Sequence, residues 1–412
     1  MSLNSFLRYA ILSGIFSIPF IPLFVAEGLF FPFITGKNFA FRIIVELMLA
    51  SSLILAIRDA QYRPRMSVLL YSFLAFIATM GISTILAENP FKSFWSNFER
   101  MEGYLTLLHL LGYFLVIGIF LQGQKAWTSW FKTTLLASST IVYFACLQLA
   151  GVFVINQGGV RLDGTLGNAT YLAIYVVFHI FLTLLLMLRE GKEHWNMLER
   201  ILLVGGGLVG GIMLLLANVG GEGTANAFGS TALLSRTGEM FGMPEGIVLN
   251  LLLLLPLAAV IALAFYRKSF LLTALILVQG FILYHTATRG AILGIIGGVL
   301  LGALLIALFD KAEPRRRKWA GAVVLGVLLF IGSFLLMRNT DFVRESPVLS
   351  RFASISLSEA TTKSRFLIWN MAFTGFKDNP VFGWGQENFN FVFNKYYSPE
   401  MYAQEQWFDR AH

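Results

Sequence analysis

The sequence predicts an all-α polytopic membrane protein, and three observations carry that prediction. Of 412 residues, 57% are hydrophobic and only 13% are charged, where soluble domains average about 25% charged. The mean hydropathy is +0.71. Several apolar runs approach the roughly 20 residues that an α-helix needs to cross a bilayer core. Helices are the expected element because a segment in lipid has to satisfy its backbone hydrogen bonds internally.

Taken in order, hydropathy places about 11 transmembrane helices, at 8–27, 39–57, 66–86, 104–122, 133–155, 169–188, 201–217, 247–266, 269–287, 290–309 and 319–337. MSLNSFLRYAILSGIF carries one arginine and then apolar residues without a small-residue cleavage site, so it reads as a first span rather than a signal peptide. With the N-terminus in the cytoplasm, the inside loops are RDAQYRPR, GQKAWTSWFK, REGKEHWNMLER, RKS and DKAEPRRRKW. They hold most of the short-loop basic residues, including Arg58, Arg63, Arg65, Arg189, Lys192 and the run from Arg315 to Lys318, as the positive-inside rule requires. The formal charge of +8 therefore belongs to cytoplasmic loops and calls for no nucleic acid. Cys146 is the only cysteine, which excludes an internal disulfide. VGGGLVGG (204–211) suits close helix packing through small residues.

Residues 1–337 are the expected transmembrane helical domain, and 338–412 a large outer segment. The same side receives ENPFKSFWSNFERMEGY (88–104), expected on the membrane surface, and the Gly-rich stretch 218–246. The outer segment contains SRFLIWNMAFTGFK, in which Arg365, Trp369, Ala372 and Phe376 recur at helical spacing. DNPVFGWGQENF follows, where one Pro and two Gly mark a compact turn.

Arg289 interrupts the apolar run from Ser269 to Phe309. A permanently charged side chain at a helix centre costs about 2.5–3.5 kcal/mol or more. Two spans fit between these residues only if the chain reverses near HTATRG, which puts Arg289 at the outer mouth of a tight helical hairpin; snorkelling of an arginine to the interface is the plain alternative. RLDGTLGNAT (161–170), TATRG (286–290), KSRFLIW (363–369) and WFDRAH (407–412) all fall on the outer side. Separated arginines on one side can form a cationic pocket against the membrane. Their planar forks suit a phosphate group attached to a lipid tail.

Those four segments, in that order and with SRFLIWNMAFTGFKDNPVFGWGQENF as the most telling, resemble the bacterial O-antigen ligase and O-antigen polymerase superfamily, over roughly residues 90–412. The resemblance implies a C-type glycosyltransferase fold in the bacterial inner membrane, with its active site on the periplasmic side and no cofactor or metal. It implies transfer of a glycan from an undecaprenyl-diphosphate carrier to a hydroxyl of a glycan, of lipid A-core or of a protein, with inversion. Carried over residue by residue, it makes Arg161, Arg289 and Arg365 the diphosphate-binding residues and His412 the catalytic base. In the family an Asn and further apolar helix follow that histidine, so the resemblance also implies a missing continuation beyond His412.

His285 lies four residues before Arg289 and is an alternative base, with packing as its plainer role. Asp163 is a base or the partner of Arg161. Arg100, with Glu99 and Glu102, lines the acceptor path or forms surface salt bridges. His109, His179 and His194 are structural. No Asp-x-Asp, no ligand-spaced His/Cys/carboxylate cluster and no Gly-x-x-x-x-Gly-Lys loop occurs. A flippase or other transporter of lipid-linked sugars is the alternative function; it predicts internal repeats and charges near the bilayer midplane.

Overall fold

The computed structural model describes residues 2–26, 28–149, 153–156, 161–190, 268–310, 313–346, 348–353, 360–402 and 408–411. Among them the secondary structure is helical, with no strand. In chain order the helices are α1 (Leu3–Ser17), α2 (Thr35–Arg58), α3 (Val68–Ile85), α4 (Pro90–Trp95), α5 (Tyr104–Phe120), α6 (Gly123–Leu149) and α7 (Ala169–Glu190). After the undescribed stretch come α8 (Lys268–His285), α9 (Arg289–Phe309), α10 (Pro314–Met337), α11 (Asp341–Glu345), α12 (Leu349–Ala353), α13 (Ala360–Asp378) and α14 (Phe389–Lys395). Seven are long and apolar enough to cross a membrane: α1 with its 3-10 continuation to Leu23, α2, α3, α6, α7, α9 and α10. Tyr104–Phe120 and Leu271–His285 are apolar but shorter. The spans expected at 201–217 and 247–266, and the stretches 204–211 and 218–246, lie outside the described residues.

Several helix ends differ from the hydropathy boundaries. GQKAWTSWFK and PRRRKW, expected as loops, form the first turns of α6 and α10. Hydropathy marks where a helix enters lipid, whereas the hydrogen-bond ladder continues into water until a cap or breaker stops it. Pro314 at the first position starts α10, and Glu313 offsets the basic run by pairing with Arg316 at 2.5 Å. Arg317 turns back to donate to the Ala307 carbonyl in the last turn of α9, at 3.2 Å. The starts of α1, α3 and α4 carry side-chain caps from Ser2, Ser67 and Asn89.

The chain forms two compact units, 1–130 with 355–412, and 131–354. In the first, α1, α2 and α5 share a core of Leu7, Ile11, Ile15, Val45, Met48 and Val116. Buried Arg42 of α2 donates to the Met101 carbonyl at 2.6 Å and to Thr106 Oγ1 at 2.7 Å, which fixes the loop leading into α5. His109 sits between the Leu105 carbonyl and Glu46, a packing and pairing role. α13 buries Ile368 and Met371 against Phe393 and Met401, whereas Arg365, Trp369 and Phe376 of the stripe read from the sequence are exposed.

In the second unit α7 packs chiefly on α8, through Leu186 and Leu272 and a buried Thr183–Gln279 hydrogen bond. His179 is held between the Tyr175 carbonyl and Thr134 Oγ1. α9 packs on α10 and α7, and Gly298 leaves the space that the Phe181 ring approaches. The reversal near HTATRG is as tight as expected, with only Thr286–Thr288 between α8 and α9. Yet α8 and α9 take their main packing from α7 and α10 rather than from each other.

Candidate functional site

In the second unit the site grows from one short turn. Ala287 has φ +49, a left-handed conformation that costs a non-glycine residue about 1 kcal/mol or more. Its surroundings hold it. Thr286 Oγ1 donates to the Leu283 carbonyl at 2.7 Å, and Thr288 Oγ1 reaches the Ala169 carbonyl at 3.3 Å. From the other side Arg161 donates from Nε to the Thr286 carbonyl at 3.1 Å and from Nη2 to Thr288 Oγ1 at 3.3 Å. The Leu162 amide adds a bond to the His285 carbonyl at 3.3 Å. RLD (161–163) and the TAT turn are thus laced together across a sequence gap of more than a hundred residues.

Arg289 is the first residue of α9, immediately after this turn, and is half-buried. A helix N-terminus carries roughly half a positive charge, so a cation there is disfavoured by about 0.3–1 kcal/mol. Anions are what such ends attract. A third cation joins this unit's set. Burial first, and then the charge of Arg351, push the Arg161 pKa down. Arg351 lies on α12, and the segment before it is tied to the last turn of α8, where Tyr284 Oη and Ser346 Oγ are 3.3 Å apart. Ser346 Oγ also accepts from the Leu349 amide, and Ser350 donates to the Ser346 carbonyl. Sequence reading missed Arg351, because SPVLSRFASIS carries no periodicity that singles it out.

The neighbouring candidates have these surroundings. Asp163 is fully buried; its Oδ1 accepts from Gln148 Nε2 at 2.8 Å, while Gln148 Oε1 accepts from the Gly164 amide at 2.8 Å. That arrangement positions the 161–164 loop. His285 contacts the Phe281 and Tyr284 rings edge-on, as a packing residue does.

In the first unit residues 408–411 are pinned by the charges of Asp409 and Arg410. Arg410 donates from Nη1 to Glu102 at 2.5 Å and from Nη2 to Glu387 at 2.6 Å. Burial acts to lower the Arg410 pKa, but the hydrogen bonds and charges of Glu102 and Glu387 overcome it and raise it. Glu387 Oε2 accepts from Ser96 at 2.9 Å. Asp409 pairs with Arg100 at 3.1 Å, which gives Arg100 the salt-bridge role. Ser83, Ser93 and the Glu88 amide bond the carbonyls of Phe382, Gln386 and Trp384. The 88–104 segment is therefore bound to the GWGQENF turn through polar contacts. Beside it lies a cavity of about 390 Å³ lined by Trp384, Phe389, Glu387, Asp409, Arg410 and Ala411, among others. Arg365 is exposed on α13, and His412 lies outside the described residues. Among the described residues no His, Cys, Asp and Glu group is arranged to hold a metal ion.

Apolar helices of membrane-crossing length define a polytopic helical membrane protein. A family model described as O-antigen ligase matches residues 246–412. The match supports glycan transfer of that general type, with a lipid-linked donor and an acceptor at the membrane. Comparison with curated proteins gives no match, and neither does comparison with solved structures.

Proposed function

We propose that the protein transfers a glycan from an undecaprenyl-diphosphate carrier to an acceptor hydroxyl at the outer face of the bacterial inner membrane. The observation that carries this reading is the Arg161-bound turn. It begins the helix headed by Arg289 and lies within the field of Arg351, so three arginines contribute positive charge at one place in the second unit. As the sugar C1–O(phosphate) bond breaks, the departing diphosphate gains charge. Arg161 and Arg289 bind it more strongly then than in the ground state, and that difference is what accelerates the reaction. In the same reading Arg365 contributes to donor diphosphate binding. His412 accepts the proton of the acceptor hydroxyl while its oxygen bonds to C1 from the opposite face. Ala411, the residue before His412, borders the aromatic-walled cavity, whose surfaces suit the apolar faces of a sugar.

The test is glycan transfer by the full protein from a defined undecaprenyl-diphosphate glycan, with lipid, sugar and protein acceptors offered in turn. Arg289→Ala is expected to lower turnover about 10²–10³-fold, the usual size of a lost charge-stabilising donor. Arg289→Lys should fall between, because it keeps the charge and loses the fork. His412→Ala should lose about 10²–10⁴-fold while His285→Ala stays near wild type. Full turnover in both Arg289 variants would contradict the reading.

A further inference from the structure

Helix α13 has two faces of opposite character. Ser364, Ile368, Met371 and Gly375 are buried, with Ile368 and Met371 in the small core that Phe393 and Met401 complete. On the other side Phe366, Trp369, Phe373 and Phe376 follow one another at intervals of three, four and three, which lines them along one stripe. Each is between 51% and 57% exposed. Four half-exposed aromatic rings in one stripe exceed what scattered surface apolar residues explain. Arg365 flanks the stripe on one edge. Lys377 flanks it on the other, its Nζ 4.6 Å from the centre of the Phe373 ring.

What covers this stripe follows from its neighbours in the same unit. α3 is a candidate membrane span, and Ile82, Ile85 and Leu86 at its C-terminal end are exposed and apolar. The chain leaving α13 is tied to that end, because Ser83 Oγ donates to the Phe382 carbonyl at 2.6 Å. Val381 and Phe382 are themselves exposed apolar side chains, so apolar surface continues from the end of a span toward the aromatic helix. Aromatic rings with cations beside them are the composition that settles at the headgroup level of a bilayer.

We propose that α13 lies in the plane of the bilayer interface, with Phe366, Trp369, Phe373 and Phe376 seated in an anionic lipid surface. Phe376 also borders the cavity that the proposed function gives to a sugar, so the part of this proposal independent of glycan transfer rests on Phe366, Trp369 and Phe373. Lipid, rather than a protein partner, is the occupant because the stripe continues from the end of a membrane span and carries cations on both edges. It follows that Arg365 sits at phosphate depth.

The test uses the full chain with Cys146→Ala, reconstituted in vesicles of phosphatidylethanolamine and phosphatidylglycerol. A nitroxide is attached at Phe366→Cys, Trp369→Cys, Phe373→Cys or Phe376→Cys, with Asn370→Cys on the exposed polar side as reference. Collisions with oxygen, which enters lipid, are compared with collisions with a water-soluble nickel chelate. The oxygen-to-nickel ratio is expected to be at least several-fold higher along the stripe than at Asn370, and to fall when phosphatidylcholine replaces both lipids. A ratio equal to that at Asn370 would show water and overturn the proposal. Low collision with both reagents would show a protein cover and overturn it as well. A ratio unchanged in phosphatidylcholine would overturn its anionic part. The four labelled positions are each exposed, so the result does not hang on one variant's folding.

Discussion

Gly385 shows how far a single residue constrains the first unit. Its φ is +88, and a Cβ built there would lie 2.2 Å from the Ala87 Cβ and 3.0 Å from Asn388 Nδ2. Gly385→Ala is therefore expected to destabilise by about 2 kcal/mol or more, from backbone strain together with the collision. Gly383→Ala, at φ +66 but facing open space, should cost less. Thermal unfolding of the two variants checks the order, and equal midpoints would contradict it. The sequence showed that the GWG motif turns but not what it turns against, because the contact with Ala87 spans about 300 residues. Arg161 and Arg289 were legible as cations at the ends of apolar runs. The bond from Arg161 to Thr288 was not legible, since nothing local to either residue encodes it. The burial of Asp163 and its bond from Gln148 were likewise not legible beside Arg161 in the sequence.

At the scale of elements, the helical stretches were legible because lipid-crossing runs leave a strong compositional trace. Their ends were less so: caps such as Asn89 and turns such as the one at Ala287 depend on a few atoms. The α13–α14 pair gives a test with a definite sign. Asp378, at the end of α13, accepts from Lys395 at 2.8 Å and from the Tyr396 hydroxyl. The Lys395 hydrogen bond first, and then Tyr396, hold the Asp378 carboxyl below its usual range. A lowered folded pKa means the tether contributes fully above the unfolded value, about 4, and is lost as pH falls through the folded value. Hydrogen exchange in 389–396 should accordingly stay constant from pH 8 to about 5, after correction for intrinsic rates, and rise in acid. Asp378→Asn should show the faster exchange at neutral pH. Identical protection in that variant would contradict the tether.

For the whole molecule, the membrane class and the order of motifs could be read from the chain, while the place of Arg351 could not. Composition reports how many charges a chain has, and the fold alone decides which of them share a neighbourhood. Arg351 is the clearest case, since a tie between Tyr284 and Ser346, distant in sequence, joins the segment before its helix to the end of α8. The central proposal is that Arg161 and Arg289 bind the donor diphosphate within the field of Arg351. Its most direct measurement is thermal unfolding of the full protein in lipid nanodiscs with increasing inorganic pyrophosphate. Wild type should be stabilised progressively, by about 2.7 kcal/mol at a concentration a hundred times Kd. Arg161→Ala, Arg289→Ala and Arg351→Ala should each shift that response to at least tenfold higher pyrophosphate. An absent response in wild type, or an undiminished one in all three variants, would contradict the claim.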